Sequence, residues 1–159
     1  MTPLERIVTF LKELGLTVRE EPLPAGTFLP GLAIRGGALL FDPARLTWPG
    51  DLLHEAGHLA VLPATLRATI SDDQLVEGGE VESIAWSFAA LQHLGLPLEL
   101  LFHAGGYRGG SEGLKLSFSL GVYPGVPGLE AAGLTAGPRR AAELGVPAYP
   151  RMLRWLRDA

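Results

Sequence analysis

Two histidines and a glutamate near the middle of the chain have the residue types and the spacing of a metal site. His54 and His58 are four residues apart in the segment Asp51-Leu-Leu-His-Glu-Ala-Gly-His. On an α-helix, residues four apart differ by about 40° around the axis and lie one turn apart along it, so both imidazoles can meet one cation. Imidazole nitrogen is a ligand that zinc favours. The segment therefore predicts a zinc ion bound through His54 and His58.

Glu55 lies directly between these histidines in the sequence and has a different expected role. It is rotated by about 100° from His54 around the helix axis, which makes it a poor ligand for the same ion. It can instead hold a water at the metal, whose pKa zinc lowers to about 7, and accept its proton. We therefore predict that Glu55 is a catalytic general base. The alternative is that this His-Glu-x-x-His pattern, HExxH, occurs by chance on a buried helix. A third metal ligand elsewhere in the chain would argue against a chance occurrence.

The third ligand has to come from another part of the chain. The extended motif with a third histidine is excluded because Ala64 stands where that histidine belongs. Glu82 follows His58 by 24 residues, near the start of a second predicted helix whose small residues would allow close packing. A buried glutamate needs a partner such as a metal ion. Glu82 is the predicted ligand, and Glu80 is the alternative, which we interpret as an acid that stabilises the first helical turn.

This combination resembles the gluzincins, a group of zinc metallopeptidases with HExxH on one helix and a glutamate ligand on the next. The motif HEAGH, followed by Glu-x-x-Ala from Glu82, carries the resemblance. The order of elements over residues 2 to 95 is similar to the smallest members, sometimes called minigluzincins. The resemblance implies one Zn²⁺ per chain on His54, His58 and Glu82, with Glu55 as the base. It also implies a peptide or an unfolded protein segment as the substrate.

One position departs from the pattern of the resembling family. Many gluzincins have Asp or Asn four residues after the ligand glutamate, where it orients a zinc-binding histidine, and this chain has Trp86. Such outer-shell partners change metal affinity or activity by about 10–100-fold. Asp72, Asp73 or a backbone carbonyl could take this role. Trp86 also keeps open a second function, that of a zinc-stabilised binding or regulatory domain without catalysis.

A glycine-rich loop, Ala104-Gly-Gly-Tyr-Arg-Gly-Gly, offers two further polar candidates. Peptidases of the resembling group often need a tyrosine or histidine that donates a hydrogen bond to the developing oxyanion. Tyr107 or His103 could be that donor. The alternative is that the loop is an ordinary surface connection.

The pattern of apolar and turn residues predicts a single α+β domain over residues 1–159, of a small zincin-like kind. Its first part contains a helix at 2–15, strands at 16–20, 32–35 and 38–41, an HExxH helix that ends at Leu62, a Glu-bearing helix at 80–94 and a short helix at 98–103. The sheet is expected to be short and antiparallel or mixed, with Ala38–Phe41 as an edge strand that pairs with an extended substrate. Residues 64–77 give no clear pattern.

The last third of the chain is expected to be rich in loops. Its regular elements are predicted to be a strand at 114–120, a short helix at 139–144 and an amphipathic helix at 151–157.

Composition excludes several classes of function. The net charge is -4 and the pI is about 5.5, which argues against a nucleic-acid-binding surface. The chain has no cysteine, so disulfides and Cys-ligated zinc are excluded. The most apolar stretch, 84–102, is interrupted by polar residues and a proline, and no membrane span is expected. The N-terminus lacks a signal-peptide pattern, which predicts the cytoplasm. The absence of asparagine suggests a thermophilic host.

Overall fold

The computed structural model describes residues 1–74 and 79–159, and this part of the chain forms an α+β fold. Its elements, in chain order, are α1 (Pro3–Glu13), β1 (Thr17–Glu20), β2 (Leu32–Arg35), β3 (Ala38–Phe41), α2 (Gly50–Ala60), α3 (Ala64–Arg67), α4 (Glu80–Leu94), α5 (Ser111–Ser119), α6 (Val126–Ala131) and α7 (Pro138–Leu144). Three single 3₁₀ turns lie at Asp72–Gln74, Leu98–Leu100 and Tyr107–Gly109.

Helix α1 begins where the sequence predicts. The Thr2 side chain accepts a hydrogen bond from the Glu5 backbone N–H, the Glu5 carboxylate accepts one from the Thr2 N–H, and Pro3 occupies the first turn. This capping box satisfies two of the backbone donors that the first turn leaves unpaired. Ile7 and Leu11 on the inner face are fully buried, and they attach the helix to the core.

The three strands form one mixed sheet in the order β1-β3-β2. Strand β3 pairs parallel with β1, where Val18 is opposite Leu39, and antiparallel with β2, where Ile34 is opposite Leu39. The prediction that Ala38–Phe41 is an edge strand is therefore wrong. All four of its residues are buried, as expected for an uninterrupted apolar segment covered on both sides.

The outer edge of β2 is occupied by the chain itself. The Ile34 N–H donates to Asp72 Oδ2 at 2.9 Å, and the Leu32 N–H donates to the Leu29 carbonyl at 3.2 Å. Just past the strand, the Gly36 N–H donates to Ser71 Oγ at 2.8 Å. These bonds use the backbone donors that an added strand would need.

Helices α2 and α4 pack closely against each other in the centre of the molecule. A Cβ on Gly57 would lie 2.6 Å from Ser83 Oγ and 2.8 Å from the Ser83 carbonyl oxygen, so only glycine permits this approach. Ser83 Oγ donates to the His54 carbonyl at 2.6 Å, which ties the two helices at the level of the motif. Around this contact, Leu53, Leu59 and other apolar side chains are fully buried.

The predicted strand at 114–120 is wrong, because residues Ser111–Ser119 form helix α5. The alternation of Leu114, Leu116 and Phe118 imitates a strand, but Leu116 is 62% exposed while Phe118 is buried. The partly buried Leu114 and the buried Phe118 are four residues apart, the spacing of one helical face.

The predicted helix at 151–157 is also wrong, because its backbone groups bond to other parts of the molecule. Met152 forms an isolated antiparallel bridge with Thr135, and the Leu153 N–H donates to the Leu134 carbonyl. The Arg157 N–H donates to the Ala60 carbonyl at the end of α2. Tertiary hydrogen bonds thus replace those that a helix would make within itself.

The remaining local predictions have mixed outcomes. Helix α7 confirms the short helix predicted at 139–144, whereas only the 3₁₀ turn Leu98–Leu100 forms within 98–103. In the segment with no clear pattern, α3 and the turn Asp72–Gln74 form, and residues 75–77 lie outside the described part. Within the described residues, no helix is both long and apolar enough to cross a membrane.

Candidate metal centre

The structure brings the HExxH side chains into one cluster. His54 and His58 project from the same face of α2, with their Nε2 atoms 3.2 Å apart. Ligand atoms of His54, Glu55 and His58 all lie within 4.8 Å of one another. His54 and Glu55 are each only 7% exposed. The three residues therefore form a group that could hold a metal ion at a largely shielded position.

Glu80, in the first turn of α4, faces both histidines. Its Oε1 lies 3.2 Å from His54 Nε2 and its Oε2 lies 3.0 Å from His58 Nε2. Hydrogen bonds with His54 and His58 hold the pKa of the Glu80 carboxyl well below its usual range. Burial opposes protonation of His58, but the bond to Glu80 and the charges of Glu55 and Glu80 raise its pKa overall.

The spacing of these atoms fits a zinc ion. Ligand atoms about 2.0–2.1 Å from a tetrahedral zinc lie about 3.3–3.4 Å from one another. The two Nε2 atoms and the Glu80 oxygens are separated by 3.0–3.2 Å. Two neutral imidazoles and one carboxylate also match the donor set of catalytic zinc sites with three protein ligands. His54, His58 and Glu80 thus present nitrogen and oxygen atoms at a spacing that three ligands of one metal ion could have.

Glu55 lies beside these ligand atoms and is largely buried. Burial raises the pKa of the Glu55 carboxyl, while the nearby His54 and His58 act in the opposite direction. A shielded carboxylate next to a metal position can accept a proton as a general base and later donate it to a leaving group as a general acid. The position suits the predicted general base.

Glu82 does not join this cluster. Its side chain packs against α6, where a Cβ on Gly128 would lie 2.4 Å from Glu82 Cγ and from its Oε1. Glu80 and Glu82 are two residues apart, which separates them by about 200° around the helix axis. The assignment of Glu82 as a zinc ligand stays a prediction, and the geometry favours Glu80, the alternative in the sequence.

Tyr107 approaches the cluster from behind His54. Its hydroxyl lies 3.3 Å from His54 Nδ1, the ring nitrogen that points away from Glu80, and the two rings meet edge to face. The Ser87 hydroxyl on α4 lies close to the phenol. Burial, together with the charges of Asp51 and Glu80, raises the pKa of the phenol, so it stays protonated in neutral solution.

His103 lies in a separate buried pair with Asp51. Its Nε2 is 2.6 Å from Asp51 Oδ1, and its ring stacks on Trp48 with a centroid distance of 4.3 Å. Burial raises the pKa of the Asp51 carboxyl, and the hydrogen bond to His103 opposes that shift. His103 therefore fastens the start of the glycine-rich loop to the first turn of α2.

Asp72, a predicted candidate for orienting a histidine, and Trp86, which stands where many gluzincins have Asp or Asn, contact other parts of the molecule. Asp72 accepts the Ile34 N–H and caps the outer edge of β2. Trp86 faces the C-terminal segment, where its Nε1–H donates to the Trp155 carbonyl at 2.8 Å. Trp86 follows Glu80 by six residues, which places the two side chains about 120° apart around the axis of α4.

In the sequence, Glu80 is only the alternative metal ligand to Glu82, because an acid in a first helical turn is common without a metal. A signal for its role was present in the spacing of Glu80, Ser83 and Ser87, which lie three and seven residues apart on one face of α4. This polar stripe on an otherwise apolar helix faces α2, as the Ser83 bond to the His54 carbonyl demonstrates.

Comparisons of the chain with protein-family models, with curated proteins and with solved structures find no match. The cluster itself therefore carries the functional argument.

Proposed function

We propose that the chain is a zinc-dependent hydrolase of peptide bonds, with His54, His58 and Glu80 as the ligands and Glu55 as the general base. The observation that carries the proposal is a pair of Nε2 atoms 3.2 Å apart, each 3.0–3.2 Å from one oxygen of Glu80, with the buried Glu55 carboxylate beside them. Structural zinc sites in proteins have four protein ligands, whereas three ligands leave room for water and substrate.

Zinc bound here would polarise a carbonyl and lower the pKa of a water molecule at the site. Glu55 accepts the proton of that water as the water oxygen bonds to the carbonyl carbon. Glu55 then donates this proton to the amide nitrogen as the carbon–nitrogen bond breaks, which releases an amine and a carboxylic acid that keeps the second proton of the water. The burial of Glu55 favours this use, because a raised carboxyl pKa eases proton uptake.

The second candidate function is a zinc-stabilised binding domain without catalysis. The occupied outer edge of β2 favours it, since an extended peptide cannot pair there while Asp72 accepts the Ile34 N–H. A peptide substrate that paired with β2 would need to displace that contact.

Metal analysis is the first test of the proposal. Purified protein should contain about one zinc ion per chain. The His54→Ala, His58→Ala double variant should contain none, with circular dichroism as the control for folding. Full zinc content in the double variant would contradict the ligand assignment.

The second test separates hydrolysis from binding. A peptide-library digest read by mass spectrometry should show cleavage that a chelator stops and added zinc restores. Glu55→Gln should keep the zinc yet lower the rate by about 100-fold or more. Identical products from wild type and Glu55→Gln would identify a contaminating protease. A full zinc complement with no cleavage would favour the binding domain.

A further inference from the structure

Tyr107 has an unusual backbone conformation in a loop that is otherwise tightly anchored. Among the described residues it is the one non-glycine with a positive φ, 53°. Bulky residues adopt this region rarely, and such strain collects at functional sites. The neighbouring Gly109 has a φ of 83°, but its lack of a side chain removes the penalty. The fold therefore maintains a costly conformation at Tyr107.

The loop packs onto the His103–Trp48 stack without room for side chains. A Cβ on Gly106 would lie 3.1 Å from His103 Cε1, and one on Gly105 would lie 3.2 Å from Trp48 Nε1. Ser111 Oγ donates to the Gly106 carbonyl at 3.2 Å, and the Gly110 N–H donates to the Tyr107 carbonyl at 2.9 Å.

These contacts hold the loop on both sides of Tyr107. The His103–Asp51 bond joins this anchored loop to α2, the helix that carries His54.

The hydroxyl of Tyr107 lies beside the ring nitrogen of His54 that does not face Glu80. The Tyr107 oxygen, 3.3 Å from His54 Nδ1, can accept the His54 Nδ1–H. A hydroxyl can accept such a bond while it donates its own proton elsewhere. With the proton of His54 on Nδ1, a bound metal would meet an unprotonated Nε2, the nitrogen on the side of Glu80.

We propose that Tyr107 is a positioning residue, which fixes the tautomer and the ring orientation of His54 for metal binding. This inference rests on the proposed zinc site. In many gluzincins an Asp or Asn orients a zinc-binding histidine, and this chain has Trp86 at that position. The inference gives the orienting role to the phenol of Tyr107 instead. It also differs from the predicted role of Tyr107 as an oxyanion donor, because the hydroxyl contacts the side of His54 that faces away from Glu80. Removal of such a partner weakens metal binding by about 10–100-fold.

The test is the zinc affinity of Tyr107→Phe, measured by competition with a chromophoric chelator on the full chain. The expected result is a loss of about 10-fold or more. Tyr149→Phe is the matched control, since it removes another buried hydroxyl, which donates to the Ala85 carbonyl, and it should leave the affinity unchanged. Ser87→Ala should give a smaller loss in the same direction.

A second measurement separates positioning from a loss of stability. In ¹⁵N-edited NMR of the zinc-loaded protein, the His54 Nδ1–H should exchange with water faster in Tyr107→Phe than in wild type, while Tyr149→Phe matches wild type. Unchanged affinity and unchanged exchange in Tyr107→Phe would overturn the inference. Failure of the proposed hydrolysis would appear differently, as wild-type protein that binds zinc tightly and cleaves nothing. A wild type that binds no zinc would overturn both.

Discussion

The two sides of helix α4 make different contacts: one side faces the candidate metal centre, and the other packs against the C-terminal third. One side carries Glu80, Ser83 and Ser87, and it faces the histidines, the backbone of α2 and the hydroxyl of Tyr107. On the other side, Glu82 packs against α6 and Trp86 bonds to the Trp155 carbonyl. Both sides are buried over most of the helix.

The two sides differ in what their polar atoms contact. On the side of the candidate metal centre, called the metal side, they contact His54, His58 and the backbone of α2. On the other side, the Trp86 N–H bonds to the C-terminal third, which lies against α4 through α6 and the segment around Trp155. Substitutions on the metal side should therefore change zinc affinity, and substitutions on the other side should change stability alone.

The largest expected effect is the contrast between the two glutamates. Glu80→Gln should weaken zinc binding by about 100-fold or more, because a carboxylate ligand is replaced by a neutral amide. Glu82→Gln should leave zinc affinity unchanged, since its side chain contacts Gly128 on α6. Chelator competition on both variants measures this difference. The reverse result would restore Glu82 as the ligand and refute the geometry.

A smaller effect is expected where the two helices meet. Gly57→Ala places a methyl group 2.6 Å from Ser83 Oγ, so α2 and α4 must move apart. We expect a loss of about 1–3 kcal/mol in the free energy of unfolding, and weaker zinc binding because Glu80 moves with α4. Chemical denaturation and chelator competition measure the two quantities. Gly113→Ala is the control: a methyl there meets open space, and the helical position should tolerate it.

The smallest effect on the metal is expected from Trp86→Phe. This variant removes the hydrogen bond to the Trp155 carbonyl and leaves a small cavity in a fully buried site. The free energy of unfolding should fall by about 1–3 kcal/mol. Zinc affinity should match wild type when it is measured well below the melting temperature. A marked loss of zinc affinity would mean that the two sides of α4 are coupled, contrary to the comparison.

Local patterns in the sequence were sufficient for several elements. Helix α1 follows from Thr2, Pro3 and Glu5, and the β2–β3 hairpin follows from Gly36-Gly37. The grouping of His54, Glu55 and His58 follows from helical spacing alone, because three side chains on adjacent turns of one helix need no tertiary contact to meet. Each of these predictions depends on neighbours within about one turn.

The predictions that failed concern contacts between distant segments. Ala38–Phe41 is the central strand because β1 pairs with one side of it and β2 with the other. The residues of β3 alone do not indicate which strands pair with it. Residues 151–157 have an amphipathic pattern, yet their backbone groups pair with Leu134 and Ala60, more than one element away. Such pairings depend on the whole packing arrangement and not on local propensity.

The site shows the same division. The sequence by itself determined which groups come together on one helix: two imidazoles and a carboxylate, in a chain without cysteine. Only the tertiary structure decided which side of α4 faces α2, and hence that Glu80 and not Glu82 meets the histidines. It also brought Tyr107, from 53 residues along the chain, to the back of His54. Helical spacing is fixed by backbone geometry, whereas the rotation of one helix against another is fixed by every side chain that packs between them.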